Sequence, residues 1–199
     1  MTDDSDSPKG ANSRSLMDSS IRKPDQILNG SSIPTSGTVL IIAGSRSATD
    51  KLSDAGLTAL LENTIESLPF DPVAIISGGA DGVDSFGEDW ATSNDLPVAQ
   101  FEPPWNETDH PDAVVREGEH GKYDAKAGPR RNRWMAEYAK FHAEHGALLA
   151  FPDFPSSGTE SMIEIGREVL GDDDVFVVPI GGIEEHTECD DLGPVLFQL

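Results

Sequence analysis

Short apolar runs that each stop at a turn, alternating with stretches of helical period, constrain this chain more than any other feature. Thr38–Ala43, Val73–Ile76, Val98–Phe101, Ala147–Phe151 and Val175–Pro179 are such runs, and they read as buried strands. Behind the first, Leu57, Leu60, Leu61, Ile65 and Leu68 keep helical spacing after a cap at Ser53 or Asp54. Further helices are expected over Asp81–Asn94, Pro129–Glu144 and Thr159–Leu170, with Pro129 suited to a first helical turn. Strand and helix in alternation imply a parallel sheet covered on both faces. The expected fold is a Rossmann-like, doubly wound α/β domain with a mainly parallel five-stranded sheet over residues 38–180.

Outside that span the pattern lapses. Residues 1–37 are rich in Ser, Asp, Asn, Gly and Pro and show no period, which predicts a disordered tail. A short docking stretch around Ile21–Leu28 is the alternative, and removal of residues 1–36 is expected to leave fold and binding intact. Residues 181–199 form an acidic tail or an edge segment ending in Val195–Leu199. The acidic insertion Asn106–Asp124 reads as a solvated loop or a mobile lid. No internal repeat is present.

Thirty-six Asp and Glu against fourteen Lys and Arg give 14 − 36 = −22. A surface of that sign repels a phosphate backbone and an anionic membrane, so neither nucleic acid nor membrane is an expected partner. A cytoplasm of very high salt, which screens self-repulsion, would explain the charge; an acidic protein with acidic tails would also do so. Lone Cys189 forms no intrachain disulfide, no apolar run reaches transmembrane length, and no basic segment leads into an apolar core. The expected location is the cytoplasm.

In a doubly wound sheet, ligands bind beyond the carboxyl ends of the strands. Four features fall at that edge. Gly44-Ser45-Arg46 follows the first strand, and Arg46 can fork onto a phosphate. Ser77-Gly78-Gly79-Ala80-Asp81-Gly82-Val83-Asp84 follows the second and opens a helix, where backbone N–H groups can meet an anion. Gly128-Pro129-Arg130-Arg131-Asn132 is the one dense cation cluster, and Ser156-Ser157-Gly158-Thr159 opens the last helix. The plain alternative is that the glycines serve tight turns and the arginines offset neighbouring carboxylates. The dinucleotide spacing G-x-G-x-x-G and the Walker lysine are both absent.

Other residues carry weaker signals. Asp81 suits a helix cap, while Asp84 can reach a ribose hydroxyl or a Mg²⁺ accompanying a nucleotide; no cofactor is required. Trp105 can stack on a base or cover the sheet edge. Trp90 and Trp134 are expected in the core. His142 and His145 share a helical spacing and Glu184, Glu185, His186 and Cys189 cluster in the tail, but neither set completes a known zinc motif, and no metal site is assigned.

The motifs Gly44-Ser45-Arg46, Ser77–Asp84, Trp90-Ala91, Ala127–Asn132 with Met135, and Gly158-Thr159-Glu160-Ser161-Met162-Ile163 resemble the SLOG superfamily, in particular its YspA-related branch. That resemblance implies a Rossmann-like fold and a pocket for a nucleotide or nucleotide-derived small molecule, and related proteins often self-associate. It is more distant to the "lonely guy" phosphoribohydrolases, whose pattern joins Arg-Lys-x-x-Met to Pro-Gly-Gly-x-Gly-Thr-x-x-Glu. Arg131, Met135, Gly158 and Thr159 match it, but Asn132 replaces the Lys and Met162 replaces the final Glu. A methionine cannot protonate a leaving base.

The expected function is binding of a nucleotide-derived small molecule as a sensor or carrier, through Gly44, Ser45, Arg46, Gly78, Gly79, Ala80, Asp81, Asp84, Trp105, Arg130, Arg131, Asn132, Gly158, Thr159 and Glu160. Homo-oligomers are an expected assembly. The alternative is a nucleoside-monophosphate N-glycosidase with displaced catalytic groups, for which Glu160 and Asp84 are candidate acids. An interaction module acting through its tails is the third reading.

Overall fold

Successive side chains of the strand β2 (Thr38–Gly44) feed two separate cores, because they alternate across the sheet. Val39, Ile41 and Ala43 pack on one face, Leu40 and Ile42 on the other. The computed structural model describes residues 21–30 and 32–180. The chain continues through a short helix α1 (Ala48–Lys51), α2 (Asp54–Glu66), β3 (Pro72–Ser77), α3 (Val83–Ser93) and β4 (Val98–Gln100). It then crosses by α4 (Ala127–His142) to β7 (His145–Phe151), α5 (Ser157–Val169), a 3₁₀ turn at Asp172–Asp174 and β8 (Val175–Val177).

Leu57, Leu61, Val83 and Ala91 from α2 and α3 cover the Leu40 face. Met135, Ala139, Met162 and Ile163 from α4 and α5 cover the Val39 face. The parallel strands run β4-β3-β2-β7-β8, so the direction of winding reverses between β2 and β7. That is the doubly wound arrangement, and its crevice opens beyond the carboxyl ends of β2 and β7.

The sheet has six strands rather than the five expected. The sixth is β1 (Gln26–Leu28), antiparallel to β4 with Ile27 opposite Ala99. It lies within the stretch read as a tail, at the place of the docking alternative. Three residues are too few to show a period, yet Asp25 N–H donates to Gln100 O and Ile33 buries to 4% exposure. The remainder of the tail, residues 1–20, and residues 181–199, with the edge-segment and metal readings there, lie outside the described residues.

The acidic insertion also carries structure that its sequence hides. Strands β5 (Val115–Gly118) and β6 (Gly121–Asp124) pair as a hairpin, turning at Gly121 with φ +105. All of β5 is exposed, so no apolar alternation marks it. At its base the buried Asp124 carboxylate accepts from Val114 N–H, Lys126 N–H and Arg130 Nη2, at 2.8, 2.9 and 2.7 Å. Its burial works in the opposite direction, but those donors and the Arg130 charge hold the carboxyl below the usual range.

Candidate functional site

One cavity of about 880 Å³ lies over the reversal point. The first turns of α3, α4 and α5 all reach its wall, through Asp84, through Gly128 and Arg131, and through Ser157 and Gly158. Three positive helix ends therefore converge on one space. Its size falls within the range of about 300–1,000 Å³ typical of small-molecule sites.

The β2 side is built by close packing. A Cβ on Gly44 would lie 2.4 Å from Val83, so only glycine lets α3 sit against the strand end. Gly82 adopts φ +92 and caps α3, with the backbone of Arg46 3.1 Å from where its Cβ would be. This corrects the reading of Asp81 as the cap. The turn needs glycine's conformation at that place, and exposed Asp81 precedes it outside the cavity. Asp84 instead reaches back, accepting from Ala80 N–H at 3.4 Å and from Gly44 N–H.

Asp84 is 5% exposed and is the one carboxyl on the cavity wall among the described residues. Burial pushes it up to about 6, against the pull of Arg131 and the two backbone donors; Glu88 adds to the rise. Facing it, Arg131 projects from α4 over Gly78. Its Nε and Nη1 are buried without an acceptor among the described residues. Burial lowers its pKa, Asp84 raises it, and Arg46 lowers it again. Arg46 is exposed at the mouth and forms no ion pair among the described residues.

On the α5 side, Ser156 Oγ donates to Thr159 Oγ1 at 3.1 Å, and Ser45 Oγ lies 3.5 Å from the same hydroxyl. Asn132 Nδ2 donates to Gly158 O at 3.3 Å, tying α4 to the first turn of α5. A Cβ on Gly158 would meet nothing within 4 Å, so that backbone lies open to the cavity. Trp105 closes one side, 44% exposed and edge-on to Tyr123 of the hairpin.

Of the residues named from sequence, twelve line the cavity: Gly44, Ser45, Arg46, Gly78, Gly79, Ala80, Asp84, Trp105, Arg131, Asn132, Gly158 and Thr159. Asp81, Arg130 and Glu160 do not. Arg130 is turned to Asp124 and Glu107, and the Glu160 carboxylate accepts from Ser156 N–H at 3.2 Å to cap α5. Ser47, Pro103 and Pro155 also line it without having been singled out; Ser47 directly follows the first motif and Pro155 directly precedes the last. Met162 lines the wall at 1% exposure.

The histidine pair dissolves in three dimensions. His142 ends α4, stacks on Tyr138 and contacts Ile33 O, whereas His145 opens β7. Among the described residues no group of three His, Cys, Asp or Glu is placed to hold a metal ion. Asp84 alone does not make a protein cage for Mg²⁺. Also among them, no helix is long and apolar enough to cross a membrane.

No curated protein and no solved structure compared with the chain matches it. A family model does, and its span covers Gly44-Ser45-Arg46, the whole Ser77–Asp84 loop and Trp105, whereas Arg131 and the α5 motif lie beyond it. Residues 38–107 match the model of the YspA, cpYpsA-related SLOG family (YAcAr), the branch that the motifs resemble.

Proposed function

We propose that the protein binds a nucleotide-derived small molecule in this cavity and works as a sensor or carrier rather than as a hydrolase. The observation that carries the reading is Arg131: a guanidinium on the cavity wall, with two buried nitrogens lacking an acceptor. Such atoms are costly to bury unpaired, and an anionic group over Gly78 would satisfy them. In a chain of net charge −22, a wall with two arginines and one carboxyl inverts the local sign. The phosphate would rest on Gly78, Gly79, Gly158, Thr159 and Arg131, with Arg46 closing the mouth and Trp105 stacking on the base.

Hydrolysis is not part of the reading. Met162 holds no proton to give, Glu160 is engaged in capping, and Asp84, the other candidate acid, stands beside Arg131 and Gly78, where the phosphate rather than the leaving base would rest. Calorimetry with a panel of nucleoside monophosphates tests the proposal, with chromatography of the same mixtures for free base. Binding without base release is expected. Arg131→Ala should weaken it roughly ten- to a hundredfold, as loss of a charge-assisted contact does. Arg133→Ala should not, because Arg133 pairs with Glu168 at 2.6 Å on the outer surface. Absence of binding across the panel, or robust base release, would overturn the reading.

A further inference from the structure

Arg131 and Asp84 converge on one point beside the Gly78 backbone. A methyl group on Gly78 would stand 1.5 Å from Arg131 Nη1 and 2.9 Å from Asp84 Oδ2. Yet Arg131 makes no ion pair with Asp84 or with any other carboxylate among the described residues. Two buried, opposite charges thus share a wall without closing on each other.

The remaining charges nearby are accounted for. Glu88, one turn along α3, accepts from Ser77 Oγ at 2.6 Å and Gln100 Nε2 at 2.8 Å. Arg46, from the turn after β2, adds its charge beside Arg131. An anion seated on Arg131 would therefore meet the Asp84 carboxylate directly, with little solvent between them. Two anions at such a distance cannot both stay ionised cheaply, and the one that shifts is the buried carboxyl. Once protonated, it offers an O–H donor where the ionised form offered repulsion.

Resting on the nucleotide reading above, we propose that Arg131 and Asp84 form one two-point clamp for a terminal phosphate, in which Arg131 supplies charge and Asp84 enters as the neutral acid donating to a phosphate oxygen. The proton comes from solvent on binding and returns on release. The clamp therefore favours a fully ionised tetrahedral oxyanion, whose oxygens accept from both the guanidinium and the neutral acid.

Inorganic sulfate is the probe for the proton, because it does not titrate near neutrality, whereas a phosphate monoester has a second pKa of about 6. Calorimetry in two buffers of different ionisation enthalpy counts protons, and NMR titration of the Asp84 carboxyl carbon locates them. Expected are uptake of about one proton per sulfate near neutral pH, an upward move of the Asp84 midpoint, and affinity falling up to about tenfold per pH unit above pH 6. Asp84→Asn should bind sulfate with no uptake and a flat profile. An unmoved or lowered Asp84 midpoint, identical profiles for the two proteins, or no sulfate binding would overturn the clamp. Adenosine 5′-monophosphate separates the two readings. If it binds, and sulfate competes with it yet binds the free protein without proton uptake, the clamp fails and the nucleotide reading stands. If sulfate binds with uptake while no mononucleotide binds, the clamp stands and the nucleotide reading fails.

Discussion

Arg131 fills the space where Gly78 would carry a side chain: a Cβ there would lie 1.5 Å from Nη1 and 2.4 Å from Cζ. The Gly78 backbone is not in the left-handed region, so alanine can adopt its conformation. The conflict is with the ends of two side chains, not with the fold. Gly78→Ala should therefore displace Arg131 and weaken mononucleotide binding roughly ten- to a hundredfold, while stability changes by about 1 kcal/mol or less. Gly82→Ala should show the reverse emphasis, since φ is +92 there and the Cβ would press on the Arg46 backbone. Denaturant melts beside calorimetry separate the two; equal losses of stability would show that Gly78 is structural.

Asp84 makes the free protein less stable than it could be. Its folded value is about 6, against 3.8 for an ordinary aspartate, chiefly because burial disfavours the charge. The sign follows from proton counting. Between those two values the unfolded chain has lost the proton that the folded chain keeps, so stability falls as pH rises through the window and levels off above 6. Asp84→Asn should match the wild type near pH 4 and exceed it at neutrality by up to roughly 3 kcal/mol, less whatever the lost acceptor contributes. Denaturant midpoints across that range are the measurement. A constant difference at every pH would mean that titration is not the cause.

What could be read in the sequence and what could not divides along physical lines. Buried strands such as Thr38–Gly44 announce themselves because both faces are apolar, and the helix over Asp54–Glu66 because one stripe is. The cavity was legible because ligand loops in this fold follow strand ends, so order along the chain fixed their meeting place. Edge and surface strands leave no such trace. Gln26–Leu28 and the β5–β6 hairpin are held by backbone pairing and by Asp124, which composition does not reveal. Side-chain direction was the other gap. Adjacent Arg130 and Arg131 look equivalent in sequence, yet a buried Asp124 takes one and the cavity receives the other.

The charge of −22 should make stability depend on salt. Among the described residues ion pairs offset little of it: Lys51–Asp153 and Arg133–Glu168 are partly exposed, and few other carboxylates there meet a cation. Self-repulsion is screened over about 3 Å at 1 M salt, against about 10 Å at 0.1 M. Thermal midpoints by circular dichroism should therefore climb steadily from dilute to multimolar KCl. Equal midpoints would remove high salt as the explanation of the acidic surface.

The edge strand β1 supports the cavity from a distance through a chain of hydrogen bonds. Gln26 Nε2 donates to Gln100 Oε1, and Gln100 Nε2 to Glu88 Oε1 at 2.8 Å. The same Glu88 oxygen takes Ser77 Oγ at 2.6 Å, and Ser77 Oγ in turn accepts from Gly79 N–H at 3.0 Å. Gly79, at φ +62, sits in the loop that borders the cavity. Residues 21–36 also bury Ile33, and Asp25 accepts from Glu102 N–H at 2.9 Å. The contribution of this segment is isolated by comparing a chain shortened through residue 20 with one shortened through residue 36. The second truncation should cost about 2–4 kcal/mol more, from the apolar burial and bonded backbone it removes. It should also weaken mononucleotide binding, because the Gly79 loop loses part of its support. Gln100→Leu cuts the relay while leaving the β1–β4 backbone pairing, so it should reproduce most of the binding loss with a smaller change in stability. Unfolding curves and calorimetry on the three proteins decide it. Equal midpoints for the two truncations would show that the edge strand adds nothing to the fold, and unchanged affinity in Gln100→Leu would sever β1 from the site.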